Sequence, residues 1–93
     1  MRPALCLTDE IGSYEHIIIA FISSKLSDEL LDSDVLIKRD SKHWTGTGLS
    51  VDSVVRLHKI VTIPKLLIKR KLGTINKELQ MVVSDKIKRL FDQ

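Results

Sequence analysis

A small, mainly β (α+β) domain that ends in an amphipathic helix is predicted by three features of this chain. The run Ile17-Ile18-Ile19-Ala20-Phe21-Ile22 is unbroken, apolar and rich in strand formers, as expected of a central strand buried on both faces. Val51, Ser53, Val55 and Leu57 alternate with Asp52, Val54, Arg56 and His58, the two-residue period of a half-buried strand. Leu79, Val82, Val83, Ile87, Leu90 and Phe91 recur mostly at steps of three and four, the stripe of a helix over about 77–91.

The remaining elements follow in chain order. Residues 2–8 are short, apolar and closed by Asp9-Glu10-Ile11-Gly12-Ser13, a strand followed by a turn. After Lys25, Ser27 is placed to cap a single helical turn that points Leu30 and Leu31 inward. A short strand is expected at 35–38, then a polar loop over 40–48 in which Gly46 and Gly48 permit unusual backbone angles. In the strand at 51–58, Arg56 and His58 share one face. Thr62-Ile63-Pro64 permits a tight helical turn, because proline suits a first helical position. Residues 68–72 fit strand or helix and stop at Gly73, and Asn76 is the expected cap of the last helix.

Ninety-three residues make one domain, 1–93, whose modest core or a dimer interface must carry its stability. With 43% hydrophobic and 29% charged residues the chain is ordinarily globular, and no apolar run approaches the roughly 20 residues of a membrane helix. The single Cys6 has no internal partner and no secretory signal is expected, which suits a reducing compartment such as a bacterial cytoplasm. The net charge of +3 is unevenly spread: residues 1–53 carry 5 Lys/Arg against 9 Asp/Glu, and residues 54–93 carry 10 against 3. The second half is therefore a cationic surface, suited to phosphate backbones or to an acidic protein segment.

Familiar catalytic signatures are missing. No Cys/His cluster has zinc spacing, and there is neither a glycine-rich phosphate loop nor a Gly-x-Ser-x-Gly elbow, so no metal and no cofactor are expected. His16, His43 and His58 are scattered along the sequence. Tyr14, Phe21, Trp44 and Phe91 are too few for a base-stacking platform, although Trp44 in its glycine-flanked loop either stacks on a base or anchors the loop.

Arg2-Pro3-Ala4-Leu5, the strand ending in Ile22-Ser23, the segment from Gly48-Leu49 to Val55-Arg56, Thr62-Ile63, Leu72-Gly73 and the last helix form an ordered set. In that order and spacing they resemble the MazF/PemK family of toxin endoribonucleases from bacterial type II toxin–antitoxin systems. The resemblance covers nearly the whole chain and implies an SH3-like small β-barrel with short helices. It also implies sequence-specific, metal-independent cleavage of single-stranded mRNA, with the RNA's own 2′-hydroxyl attacking the neighbouring phosphate. A homodimer and an acidic antitoxin protein are the implied partners.

On that resemblance Arg2 takes the position of the catalytic arginine, whose permanently charged fork of donors suits a doubly charged phosphorane. Ser23 supplies the hydroxyl at the end of the second conserved strand. Without the family, Arg2 reads as an edge-strand surface charge and Ser23 as a strand end bonded to its own backbone. Some members carry an aspartate two residues after the arginine that matches Arg56; here that position is His58, which titrates nearest neutral pH and is a weaker candidate for acid–base work. Arg56, Trp44 and Lys25 are the expected RNA contacts. The family's first strand and loop, which precede the Arg-Pro segment, have no counterpart here, so the domain reads as shortened at its amino terminus. Two other readings stay open: a catalytically inactive relative that binds an antitoxin or nucleic acid, and an unrelated basic SH3-like adaptor for acidic peptides.

Overall fold

The computed structural model describes residues 3–25 and 30–92. Strand β1 (Ala4–Cys6) pairs antiparallel with β2 (His16–Ser23), β2 with β4 (Ser53–Pro64), and β4 with β3 (Asp34–Ile37). The result is a curled four-stranded sheet in the order β1-β2-β4-β3, a half-barrel closed by one helix. A short 3-10 helix (Lys65–Leu67) follows β4, and α1 (Lys77–Phe91) is the last element.

The apolar run becomes β2, second in the sheet, and its consecutive Ile19 and Ala20 are both buried, so both faces of the strand are covered there. Ile22 lies opposite Val55, and Val55 opposite Val35, forming one apolar row across three strands. Ala20, Ile37 and Leu57 extend this face, and Leu79 and Val83 of α1 close over it to complete the core. Between Ala20, paired with Ile60, and Phe21, paired with Arg56, the ladder loses step. Leu57, His58 and Lys59 are thus set against a single step of β2, an irregularity that bends a strand and curls its sheet.

Helix α1 begins where its cap requires. The Asn76 Oδ1 accepts from the Leu79 N–H at 2.8 Å, Glu78 stands in the first turn, and Lys88 and Arg89 stand in the last, all favourable to the helix dipole. The segment before it crosses the 46–48 loop closely, with the Thr74 N–H donating to the Gly46 carbonyl at 2.8 Å. A Cβ at Gly48, whose φ is +74, would overlap the Leu72 carbonyl, and a Cβ at Gly73 would overlap that of Gly46. Glycine is needed on both sides of this crossing.

Several expectations change. Strand β4 continues through Thr62-Ile63-Pro64, where a helical turn was expected, because Pro64 pairs with His16 at the strand's end and needs no N–H there. The 3-10 helix starts one residue later. Residues 68–72 form neither strand nor helix, and Ile68 and Leu72 are exposed. Residues 26–29, including the Ser27 cap, lie outside the described residues, while Leu30 and Leu31 are exposed and do not point inward. Phe91, assigned to the buried stripe of the helix, is 69% exposed, and Val54, assigned to the polar face, is fully buried.

Candidate functional site

The polar face of the sheet is built by the same alternation that builds the core. One residue along from the apolar row, Phe21 of β2 lies opposite Arg56 of β4, and Arg56 lies opposite Asp34 of β3. Directly opposed residues project to the same side, so Arg56 and Asp34 meet: Nη1 donates to Asp34 Oδ2 at 2.5 Å. The Asp34 side chain is 1% exposed and that of Arg56 14%, which makes this a buried ion pair. Oδ2 also accepts from the Leu31 N–H at 2.9 Å, while the Asp34 N–H donates to the Leu31 carbonyl, closing a tight turn. From α1, Lys86 Nζ donates to the carbonyls of Asp32 at 2.8 Å and Asp34 at 3.0 Å.

His58 stands two residues beyond Arg56, inside the irregular step of β4. Its Nδ1 is 3.8 Å from Asp34 Oδ1, and its side chain is 33% exposed. Oδ1 is buried and accepts no hydrogen bond. Ser23 lies opposite Val54, two rows from Arg56 and so on the same face. Its Oγ accepts from the Lys25 N–H at 3.1 Å and donates weakly to the Lys25 carbonyl at 3.4 Å. Ser23, Arg56 and His58 therefore share one side of the sheet, with the guanidinium and the imidazole beside the buried Asp34 carboxylate and the hydroxyl on the neighbouring strand β2.

The other expected residues are placed differently. Arg2 lies outside the described residues, and its neighbour Pro3 gives its carbonyl to the Ile22 N–H at 3.1 Å. The Lys25 side chain is exposed beside the Ser23 turn. Trp44 packs against the apolar core, and its carbonyl accepts from both the N–H and the hydroxyl of Thr47, so it anchors its loop. Asp34 was missed at the sequence level because the strand was started at Val35, and only the cross-strand register brings its carboxylate to Arg56.

Two exposed ion pairs lie elsewhere. Lys42 bonds Glu78 at 2.5 Å and holds its carboxyl below the usual carboxylate range; Glu10 pairs with Lys65 and raises its ammonium above the usual lysine range. Between β1, the 67–75 segment and α1 runs an apolar cavity of about 1220 Å³ bordered by Lys69, Arg70 and Lys71. Among the described residues no group of three His, Cys, Asp or Glu could hold a metal ion, and no helix is long and apolar enough to cross a membrane.

Comparison with known proteins agrees with this architecture. The family model of PemK-like, MazF-like toxins of type II toxin–antitoxin systems matches residues 1–91. The Mycobacterium tuberculosis toxin MazF-mt6 superposes with a TM-score of 0.77 at 25% identity, covering 98% of this chain and 86% of that one. A second solved structure, a crystal structure of an M. tuberculosis toxin, gives 0.76 at 24% identity, covering 97% of this chain and 92% of that one. No curated protein matches the sequence.

Proposed function

Because the chain belongs to the PemK-like, MazF-like toxins of type II toxin–antitoxin systems, we propose that it is a sequence-specific endoribonuclease that cleaves single-stranded mRNA without metal in the bacterial cytoplasm. The RNA's 2′-hydroxyl attacks the adjacent phosphorus and the 5′-oxygen of the next nucleotide leaves, giving a cyclic phosphate and a 5′-hydroxyl end. The observation that supports this reading is that Ser23 lies on the same face of the sheet as Arg56 and His58, which flank the Asp34 carboxylate.

The barrier to this reaction lies in charge crowded onto the phosphorane and in two proton transfers. Arg2 supplies a fixed positive charge to the phosphorane oxygens, and Ser23 donates its hydroxyl proton to one of them. That proton is held only weakly by the Lys25 carbonyl, so turning it to substrate sacrifices little. His58 exchanges protons with the attacking or leaving oxygen. Arg56, fixed by Asp34, and Lys25 attract the RNA backbone, while Trp44 contributes through the loop it anchors. Outside this face, the apolar cavity with its cationic border suits an acidic, partly apolar antitoxin segment that blocks a homodimer.

The test is incubation with long single-stranded RNA in chelator, followed by mapping of the cut ends. Cleavage to 5′-hydroxyl ends that falls by about 10²-fold or more in Arg2→Ala and in Ser23→Ala supports the proposal. A folded, monodisperse wild-type protein that leaves RNA intact overturns it in favour of a binding relative, for which Ser23 merely closes its local turn.

A further inference from the structure

We infer that Asp34 is a positioning residue, whose buried carboxylate holds His58 in the Nδ1-protonated tautomer and fixes Arg56 beside it. The inference deepens the proposed cleavage and rests on that reading for its catalytic meaning. Its geometric content stands on the two oxygens of one carboxylate.

A carboxylate with a 1% exposed side chain has lost its water and must be satisfied from within the protein. Oδ2 is satisfied, by Arg56 Nη1 at 2.5 Å and the Leu31 N–H at 2.9 Å. Oδ1 is not: it is buried without a hydrogen bond, and an orphaned buried acceptor is costly. His58 Nδ1 is 3.8 Å from it, too long for a hydrogen bond and close enough for a small ring rotation to make one. A purely structural ion pair with Arg56 accounts for Oδ2 and leaves Oδ1 unexplained.

A neutral imidazole carries one N–H. Facing an anionic oxygen, a protonated Nδ1 is attracted, whereas a bare Nδ1 sets lone pair against lone pair. The first tautomer leaves Nε2 with its lone pair, the form a general base requires, and a carboxylate that selects and orients it also steadies the imidazolium formed when the base takes a proton. Two features keep the arrangement in place. His58 lies in the irregular step of β4, where a side chain is re-aimed out of the regular ladder. Lys86 bonds the Asp34 carbonyl at 3.0 Å, which holds the strand carrying the carboxylate against α1.

The inference is tested on the full chain, labelled with ¹⁵N, by long-range proton–nitrogen correlation of the histidine rings at about pH 8, where an ordinary imidazole is neutral. Nδ1–H is expected to predominate at His58 in the wild-type protein. In Asp34→Asn, His58 is expected to move towards the Nε2–H form, and kcat for RNA cleavage to fall by about tenfold or more with KM little changed. Predominance of Nε2–H at wild-type His58 overturns the inference without recourse to any variant, and so does an unchanged tautomer in a folded Asp34→Asn protein. If that variant does not fold, the wild-type spectrum decides. If wild-type His58 shows the Nδ1–H form but the protein cuts no RNA, the placement of His58 by Asp34 stands and the cleavage reading falls.

Discussion

Two neighbouring rows of the sheet, one residue apart on the same three strands, differ in what holds them together. Ile22, Val55 and Val35 form an apolar row beneath α1, stabilised in proportion to the surface they remove from water. Phe21, Arg56 and Asp34 form the adjacent row on the other face, where a buried carboxylate is tolerable only while its partners are present. The apolar row accepts any side chain of similar volume. The charged row accepts changes only in matched sets.

The largest expected effect breaks the apolar side. Leu57→Ala should lower unfolding stability by about 2–5 kcal/mol in urea titrations while leaving the tautomer of His58 unchanged in the folded protein. Next, Arg56→Ala strands the Asp34 carboxylate and should cost roughly 2–4 kcal/mol, whereas Asp34→Val combined with Arg56→Leu should recover much of that loss. A double variant no more stable than the single one would dissolve the contrast between the rows. Gly73→Ala forces apart the loop crossing that seats α1 and should cost about 1–3 kcal/mol.

Ser23→Ala, which removes only a local turn contact, should change stability by less than about 1 kcal/mol while lowering cleavage by about 10²-fold or more, separating chemistry from folding on the polar face. The smallest effect concerns Glu78. Its carboxyl is lowered by Lys42, so the pair stabilises the fold above the ordinary carboxylate range and ceases to do so as pH falls through the lowered value. Because both side chains are well exposed, Glu78→Gln should leave the melting temperature at neutral pH almost in place and flatten only a shallow acid limb.

Much of this architecture was legible in the sequence because the signals are local. The apolar run of β2 and the Asn76-capped helix each rest on residues near one another in the chain, and both are present with nearly the expected bounds. What was misread depends on distant partners. Thr62-Ile63-Pro64 carries a turn-like string, yet pairing with β2 extends the strand through it. Phe91 satisfies the helical period but stands beyond the reach of the sheet. In the candidate site, Arg56 and His58 were legible as neighbours on one face, while Asp34 was not, since a lone acidic residue at a strand's start reveals nothing of its burial. The irregular step that sets His58 near it is likewise a property of two paired strands.

Lys86 gives the molecule an order of assembly. It lies 52 residues after Asp34 along the chain, so its bond to the Asp34 carbonyl closes a long loop, a contact paid for late in folding. During synthesis β2, β3 and β4 are all made before this lysine exists. A nascent chain can collapse its apolar row in part, but the backbone beneath the carboxylate receives its final clamp only when the last helix docks. For a member of a toxin family, the consequence is temporal: the polar face reaches its final form only after α1 has been made and has docked.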